Sequence, residues 1–250
     1  MIFHYKSLRN ISLAFISILS FSCKEEPKQP ITIKKQEKQE PIPVFGYRFA
    51  ITGDFDGDGK LEKLKEHYTS NLYNKEINKF YDGIDDSGDM VDLAIKSDPK
   101  SFVLSDNKQI DTLQISSGGQ LFGVSYLKNE GDLNGDGTDE VSYVIDYADF
   151  SNLNSWYIVT YKNGKWQELY QFPIWDWQLP NLPANSNQYG LFGTENKNIY
   201  ASEDIETEWE LHGWEGLVRK IQAGKIQVIY RNEEADLDTM VVNLNRFLNK

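Results

Sequence analysis

The chain of 250 residues has one cysteine, Cys23, and three histidines. A single cysteine excludes an intrachain disulfide, so the fold has no covalent staple. His4 lies in an N-terminal leader, and His67 and His212 stand alone and far from the cysteine, which excludes a zinc site built on the usual ligand spacings. No Gly-x-Ser-x-Gly nucleophile elbow occurs. Adjacent acids such as Asp85-Asp86, Glu203-Asp204 and Glu233-Glu234 read as solvated loops rather than as a glycosidase pair. Basic residues are scarce, 26 Lys and Arg against 38 Asp and Glu, for a net charge of −12. Nucleic acid is thereby excluded as a partner, because its binding depends on Lys and Arg displacing condensed counterions. Helical periodicity is also scarce, with room for a short helix only over Asp236 to Leu248.

What the N-terminus does contain is Lys6 and Arg9, then the apolar run Ile11 to Phe21, then Ser22-Cys23. This is the layout of a secretory signal, and the run is shorter than the roughly 20 apolar residues that span a bilayer. Leu19-Ser20-Phe21-Ser22-Cys23 resembles a relaxed bacterial lipobox of the Bacteroidetes kind, which implies removal of residues 1–22 and lipid on Cys23. More than one acyl chain on that cysteine would give stable anchoring. Lys24-Glu25-Glu26 looks like a signal for export to the outer face of the outer membrane. Loss of Lys6 and Arg9 brings the mature charge to −14. Residues 23–43, rich in Lys, Glu, Gln and Pro, cannot bury enough apolar surface to offset ordering and read as a disordered tether. One domain is expected over 44–250.

That domain carries an internal repeat. Gly53 to Glu62 reads GDFDGDGKLE and Gly131 to Glu140 reads GDLNGDGTDE, with first aspartates 78 positions apart. Oxygen-bearing side chains fall at every second position, Asp54, Asp56 and Asp58 in one copy and Asp132, Asn134 and Asp136 in the other. The backbone carbonyls of Lys60 and Thr138 follow at position seven, and Glu62 and Glu140 close the loops at position nine. So much like charge calls for a cation. Calcium fits, since it takes six to eight hard oxygen ligands at about 2.3 to 2.6 Å. An EF-hand is excluded because its twelfth-position acid is replaced by Lys65 and Tyr143, and because Val141, Tyr143, Ile145 and Tyr147 alternate as a strand. Asp82 to Asp89 breaks the spacing and reads as an exposed loop.

Both copies also have an upstream Phe-Gly, Phe45-Gly46 and Phe122-Gly123. In these features the chain resembles the FG-GAP (integrin-alpha type, VCBS-like) repeat family, although the family's downstream Gly-Ala-Pro is absent. The resemblance implies calcium-bearing β-propeller blades and a binding or scaffolding role. Phe192-Gly193 is either a decayed third copy or a chance dipeptide.

Other strand signals are Phe45 to Ile51, Val91 to Ile95 and Leu121 to Leu127. Hairpins are expected at Asn163-Gly164 and at Ala223-Gly224. The fold class is all-β, either a small β-propeller or a compact β-sandwich of the repeated units. Trp175 and Trp177 form either a stacking platform for a glycan or peptide, or core plugs. The expected function is that of a calcium-binding lipoprotein with two ions. It would sit at the bacterial outer membrane, exposed at the surface, and bind an unidentified protein or glycan. The rivals are an accessory or degenerate glycan-related enzyme with a groove near Trp175, and a purely structural envelope protein.

Overall fold

The computed structural model describes residues 42–44, 48–77, 79–82, 87–147, 151–179, 188–189 and 216–247, all within a unit that begins at Gln39. The fold is β-rich and antiparallel throughout. A first sheet has strand order β12-β2-β3-β6-β7, from β2 (Arg48–Gly53), β3 (Glu62–Ser70), β6 (Pro99–Ser105), β7 (Leu113–Ser117) and the short β12 (Gln188–Tyr189). The two-residue β4 (Lys75–Glu76) pairs with the end of β3. A second sheet is a meander of β8 (Leu121–Gly131), β9 (Glu140–Tyr147), β10 (Leu153–Lys162) and β11 (Lys165–Trp175). The third has β13 (Val218–Gln222), β14 (Lys225–Arg231) and β15 (Leu237–Asn243). A separate pair joins β1 (Ile42–Val44) to β5 (Phe80–Asp82).

The second sheet has an apolar layer on each face. Val141, Tyr143 and Ile145 of β9 pack into a layer with Phe49, Ile51, Leu64, Tyr68 and Val103 of the first sheet. Val144 of the same strand joins Trp156, Ile158 and Phe172 in a layer with Val218, Ile226, Val228 and Val242 of the third. Six consecutive residues, Glu140 to Ile145, are therefore buried, as expected of a strand covered on both sides. The outer sheets keep one solvated face, and β3 alternates buried and exposed residues.

Both expected hairpins form, with Lys162 paired to Lys165 and Gln222 to Lys225. Two other expectations are corrected. Val91 to Ile95 lies in helix α1 (Ser87–Ser97), not in a strand, and Asp89 is in its first turn rather than in an exposed loop. Period-two alternation over so few residues also satisfies helical spacing, as with Val91 and the buried Ala94 three residues apart. Asp89 and Lys96 suit the helix dipole, and Asp98 ends the helix with a left-handed φ of 45° just before Pro99. Asp236 to Leu248 holds β15 and a short 3-10 turn, Leu244–Arg246, not an α-helix, because pairing with β14 satisfies its backbone. Among the described residues no helix is long and apolar enough to cross a membrane.

Candidate metal centre

Each acidic loop is the connection between the first two strands of its sheet. Residues 54–61 join β2 to β3, and residues 132–139 join β8 to β9. The second residue of each loop is an apolar anchor, Phe55 at 0% exposure and Leu133 at 1%. The closing carboxylate reaches back to hold it. Glu62 accepts the Phe55 N–H at 3.0 Å, and Glu140 accepts the N–H of Leu133 at 2.6 Å and of Asn134 at 3.1 Å. Burial pushes the Glu140 carboxyl up to about 7 despite these donors, and burial also raises that of Glu62, assisted by the nearby aspartates.

In the first loop Asp54 accepts the N–H groups of Gly57 and Gly59, both at 2.9 Å. Those glycines have φ of 77° and 83°, a region open to glycine at no steric cost. Asp56 accepts from Asp58 N–H, and Asp58 from Lys60 N–H. The result places one oxygen from each of Asp54, Asp56 and Asp58 within 4.8 Å of the others. The donor set is hard, anionic and oxygen-only, which suits a hard cation and not a soft metal. The exposed Lys60 Nζ lies 2.7 Å from Asp58 and lowers its pKa.

The second loop repeats the turn with Asn134 where the first has Asp56. Asp132 accepts from Gly135 N–H at 2.5 Å, Asn134 from Asp136 N–H, and Asp136 from both the N–H and the hydroxyl of Thr138. The Asn134 amide donates to Glu140 at 2.7 Å. Two lysines from distant strands also reach this loop. Lys162 Nζ stands 3.5 Å from Asp136, and Lys220 donates to the Asp132 carbonyl. Burial opposes ionisation of Asp136, but the Thr138 bonds and Lys162 outweigh it and hold its pKa below the usual range.

The two loops touch. Asp139, at position eight of the second loop, donates its N–H to the Asp54 carbonyl at 2.8 Å and accepts the Asp54 N–H at 3.1 Å. Asn129 ties that carboxylate to the Thr52 carbonyl, in a space that a side chain on Gly53 would fill. On its other side the second loop meets the turn between β13 and β14, where Gly224 N–H bonds the Leu133 carbonyl at 2.9 Å. The three inter-strand connections thus line up, with a tight turn in the third sheet where the others carry acids.

No family model, curated protein or solved structure matches the chain.

Gly123 of the second Phe-Gly has φ of 94°, and a Cβ there would lie 2.6 Å from both Glu66 Oε1 and Lys79 Cε. Phe45-Gly46 and Phe192-Gly193 lie outside the described residues, as do Cys23 and His212. Trp175 is half-buried at the end of β11. Its indole N–H donates to the Ala235 carbonyl at 3.2 Å, and the Arg231 guanidinium lies 5.0 Å over its ring. It thereby fastens the second sheet to the third. The Trp177 side chain is outside the described residues. Sequence reasoning missed Asp139, Asn129, Lys162 and Lys220. Only Asp139 had a signal, as an acid at position eight where the first copy has the exposed Leu61.

Proposed function

We propose that this chain is an exported binding module, anchored to the bacterial outer membrane through lipid on Cys23 and exposed at the surface, whose β-domain is braced by calcium at its paired acidic loops. The observation that carries the metal reading is the convergence of the Asp54, Asp56 and Asp58 oxygens within 4.8 Å. The same turn recurs over Asp132, Asn134 and Asp136, which supports a second ion and the likeness to FG-GAP repeats. The first loop is expected to fill first, since it has one more carboxylate at its turn positions and each loop has one lysine against an acid, Lys60 at Asp58 and Lys162 at Asp136. With no disulfide available, a cation that binds only the folded loops supplies stability in its place, about 2.7 kcal/mol at a hundredfold excess over its dissociation constant.

Anchoring is supported by the run Ile11 to Cys23, and surface exposure by Lys24-Glu25-Glu26. The binding role rests on the likeness to FG-GAP repeats; Trp175, engaged by Ala235 and Arg231, supports neither a stacking platform nor the groove of an accessory enzyme. The ligand is a protein or a glycan.

The test is a thermal melt of Lys24 to Lys250 in excess calcium and in EDTA, with calorimetric stoichiometry. A calcium-dependent rise is expected, reduced most by Asp58→Ala and less by Asp136→Ala, the same position in the second loop. Identical melts with no heat of binding would reduce the loops to acidic turns. Mass spectrometry of the cell-derived protein tests the anchor, with acyl mass expected on a chain that begins at Cys23.

A further inference from the structure

The outward face of the first sheet differs in charge from the rest of the chain. On β3 the exposed positions are Lys63 and Lys65, followed by the partly exposed His67. On β6 Leu104 is exposed and Lys100 and Phe102 are half-buried, and the register sets Lys65 beside Leu104 and His67 beside Phe102. The His67 ring stacks on Phe102 at 5.3 Å and 13°, and Lys100 Nζ lies 5.0 Å over the same Phe102 ring. Glu76 also lies against this face, but its oxygens are engaged by Arg48 and His67. Asp106, at the far end, bonds the Lys63 N–H. Three lysines, of which Lys100 is half-buried, thus share one antiparallel face with Leu104, 37% exposed, in a chain of net charge −12.

We infer that this lysine face docks on an anionic, phosphate-bearing membrane surface. The overall negative charge does not prevent this, because at physiological salt charges beyond about 8 Å are largely screened. Stacked sheets lie about 10 Å apart, so acids on the third sheet contribute little at the outer face of the first. Lysines spread over two strands of a sheet match a plane of headgroups better than they match a single ligand. Each lysine near such a surface is worth about a fivefold gain in partitioning. Three give roughly a hundredfold, which is modest from solution and sufficient to orient a domain already held nearby. The inference deepens the anchored reading and rests on it for that local concentration.

The test supplies the anchor chemically, so that it does not depend on whether the cell lipidates the protein. The chain from Cys23 to Lys250, whose only thiol is Cys23, is coupled to maleimide-lipid vesicles of phosphatidylcholine with or without phosphatidylglycerol, with one equivalent of calcium per loop. Lysine acetylation rates are then read by mass spectrometry. Acetylation of Lys63, Lys65 and Lys100 should slow by about tenfold on the anionic vesicles only and recover in high salt, while Lys165 and Lys225 are unchanged. The double variant Lys63→Glu, Lys65→Glu should lose the protection at Lys100 on anionic vesicles, and protection of Lys100 kept at the wild-type level would overturn the inference. Equal rates at the three lysines on both vesicle types would overturn the inference and leave the face to an acidic macromolecule. Uniform protection of every lysine would overturn it too, as non-specific crowding. Failure of either kind leaves the lipid anchor itself to stand or fall on the mass of Cys23.

Discussion

Lys79 places its ammonium 2.6 Å from Glu66, and both side chains are almost wholly buried, at 2% and 0% exposure. Glu66 also accepts the N–H of Phe49 at 3.0 Å and of Val124 at 3.1 Å, and Lys79 donates to the Val124 carbonyl. One ion pair therefore joins β2, β3 and β8 across the first apolar layer, and Gly123 is where it passes β8. Burial lowers the Lys79 pKa and the Glu66 charge opposes it. Lys79→Met leaves a buried carboxylate without its cation and should cost about 3 to 5 kcal/mol. Lys79→Met with Glu66→Gln should cost less than the single change, as read by urea denaturation. Equal or greater loss in the double variant would show that the backbone bonds of Glu66, not its charge pairing, dominate. A pH prediction belongs to Glu76. Burial pushes its carboxyl up, but the His67 hydrogen bond and the Arg48 charge outweigh it and hold the pKa below the usual range. A carboxyl with a lower pKa folded than unfolded contributes in full above the unfolded value, about 4.3, and the contribution is lost as pH falls through the folded value. Wild type should therefore lose stability more steeply than Glu76→Gln below about pH 5, with parallel curves above it. Denaturation midpoints between pH 3 and 7 measure this, and parallel curves throughout would contradict it.

At the scale of elements, the loops follow from their sequence because all the chemistry is local. Oxygen at every second position, glycine where φ must be positive, and an apolar residue at position two are enough to build the turn, and the same turn appears twice. What spacing does not reveal is which distant groups arrive. Lys162 and Lys220 reach the second loop from β10 and β13, and Glu66 finds Lys79 through the tertiary fold, none of which has a local pattern. The helix over Ser87–Ser97 and the strand over Leu237–Asn243 show the same limit from the other side. Short apolar patterns fit both periods, and strand pairing or a cap decides between them. The contact between loops is the element-level feature most open to test. Asp139→Ala removes the acceptor of the Asp54 N–H and of the Asn129 amide, and should cost about 1 kcal/mol while weakening calcium at the first loop, because Asp54 is no longer held in register. Calorimetry of calcium binding distinguishes this from a purely local loss, which would lower the melting temperature and leave the affinity unchanged.

At the scale of the domain, the central sheet is the shared wall of two apolar layers. A sequence pattern registers that each strand of the repeat is apolar, but which face meets which neighbour depends on how the sheets stack. The alternation of Val141, Tyr143 and Ile145 suggests one buried face, whereas Ser142 and Val144 on the other face are equally buried. Ser142 can be there because its hydroxyl accepts the indole N–H of Trp156 at 2.9 Å. This arrangement has a consequence for local unfolding. Detaching the third sheet exposes only the layer around Trp156 and Phe172, and detaching the first exposes only the layer around Phe49 and Tyr68. Amides of Val141 to Val144 and of Trp156 to Val159 are flanked by pairing strands on both sides and, the half-buried Tyr157 apart, belong to buried residues, so they should exchange with solvent only when the whole domain unfolds. Amides of β13, four of whose five residues are exposed, should exchange through smaller openings of lower free energy. Native-state hydrogen exchange at rising denaturant separates the two, since only global opening carries the full denaturant slope. If β9 and β13 amides converged on one slope at every concentration, the three sheets would open as one unit, and the central sheet would have no stability of its own beyond that of its neighbours.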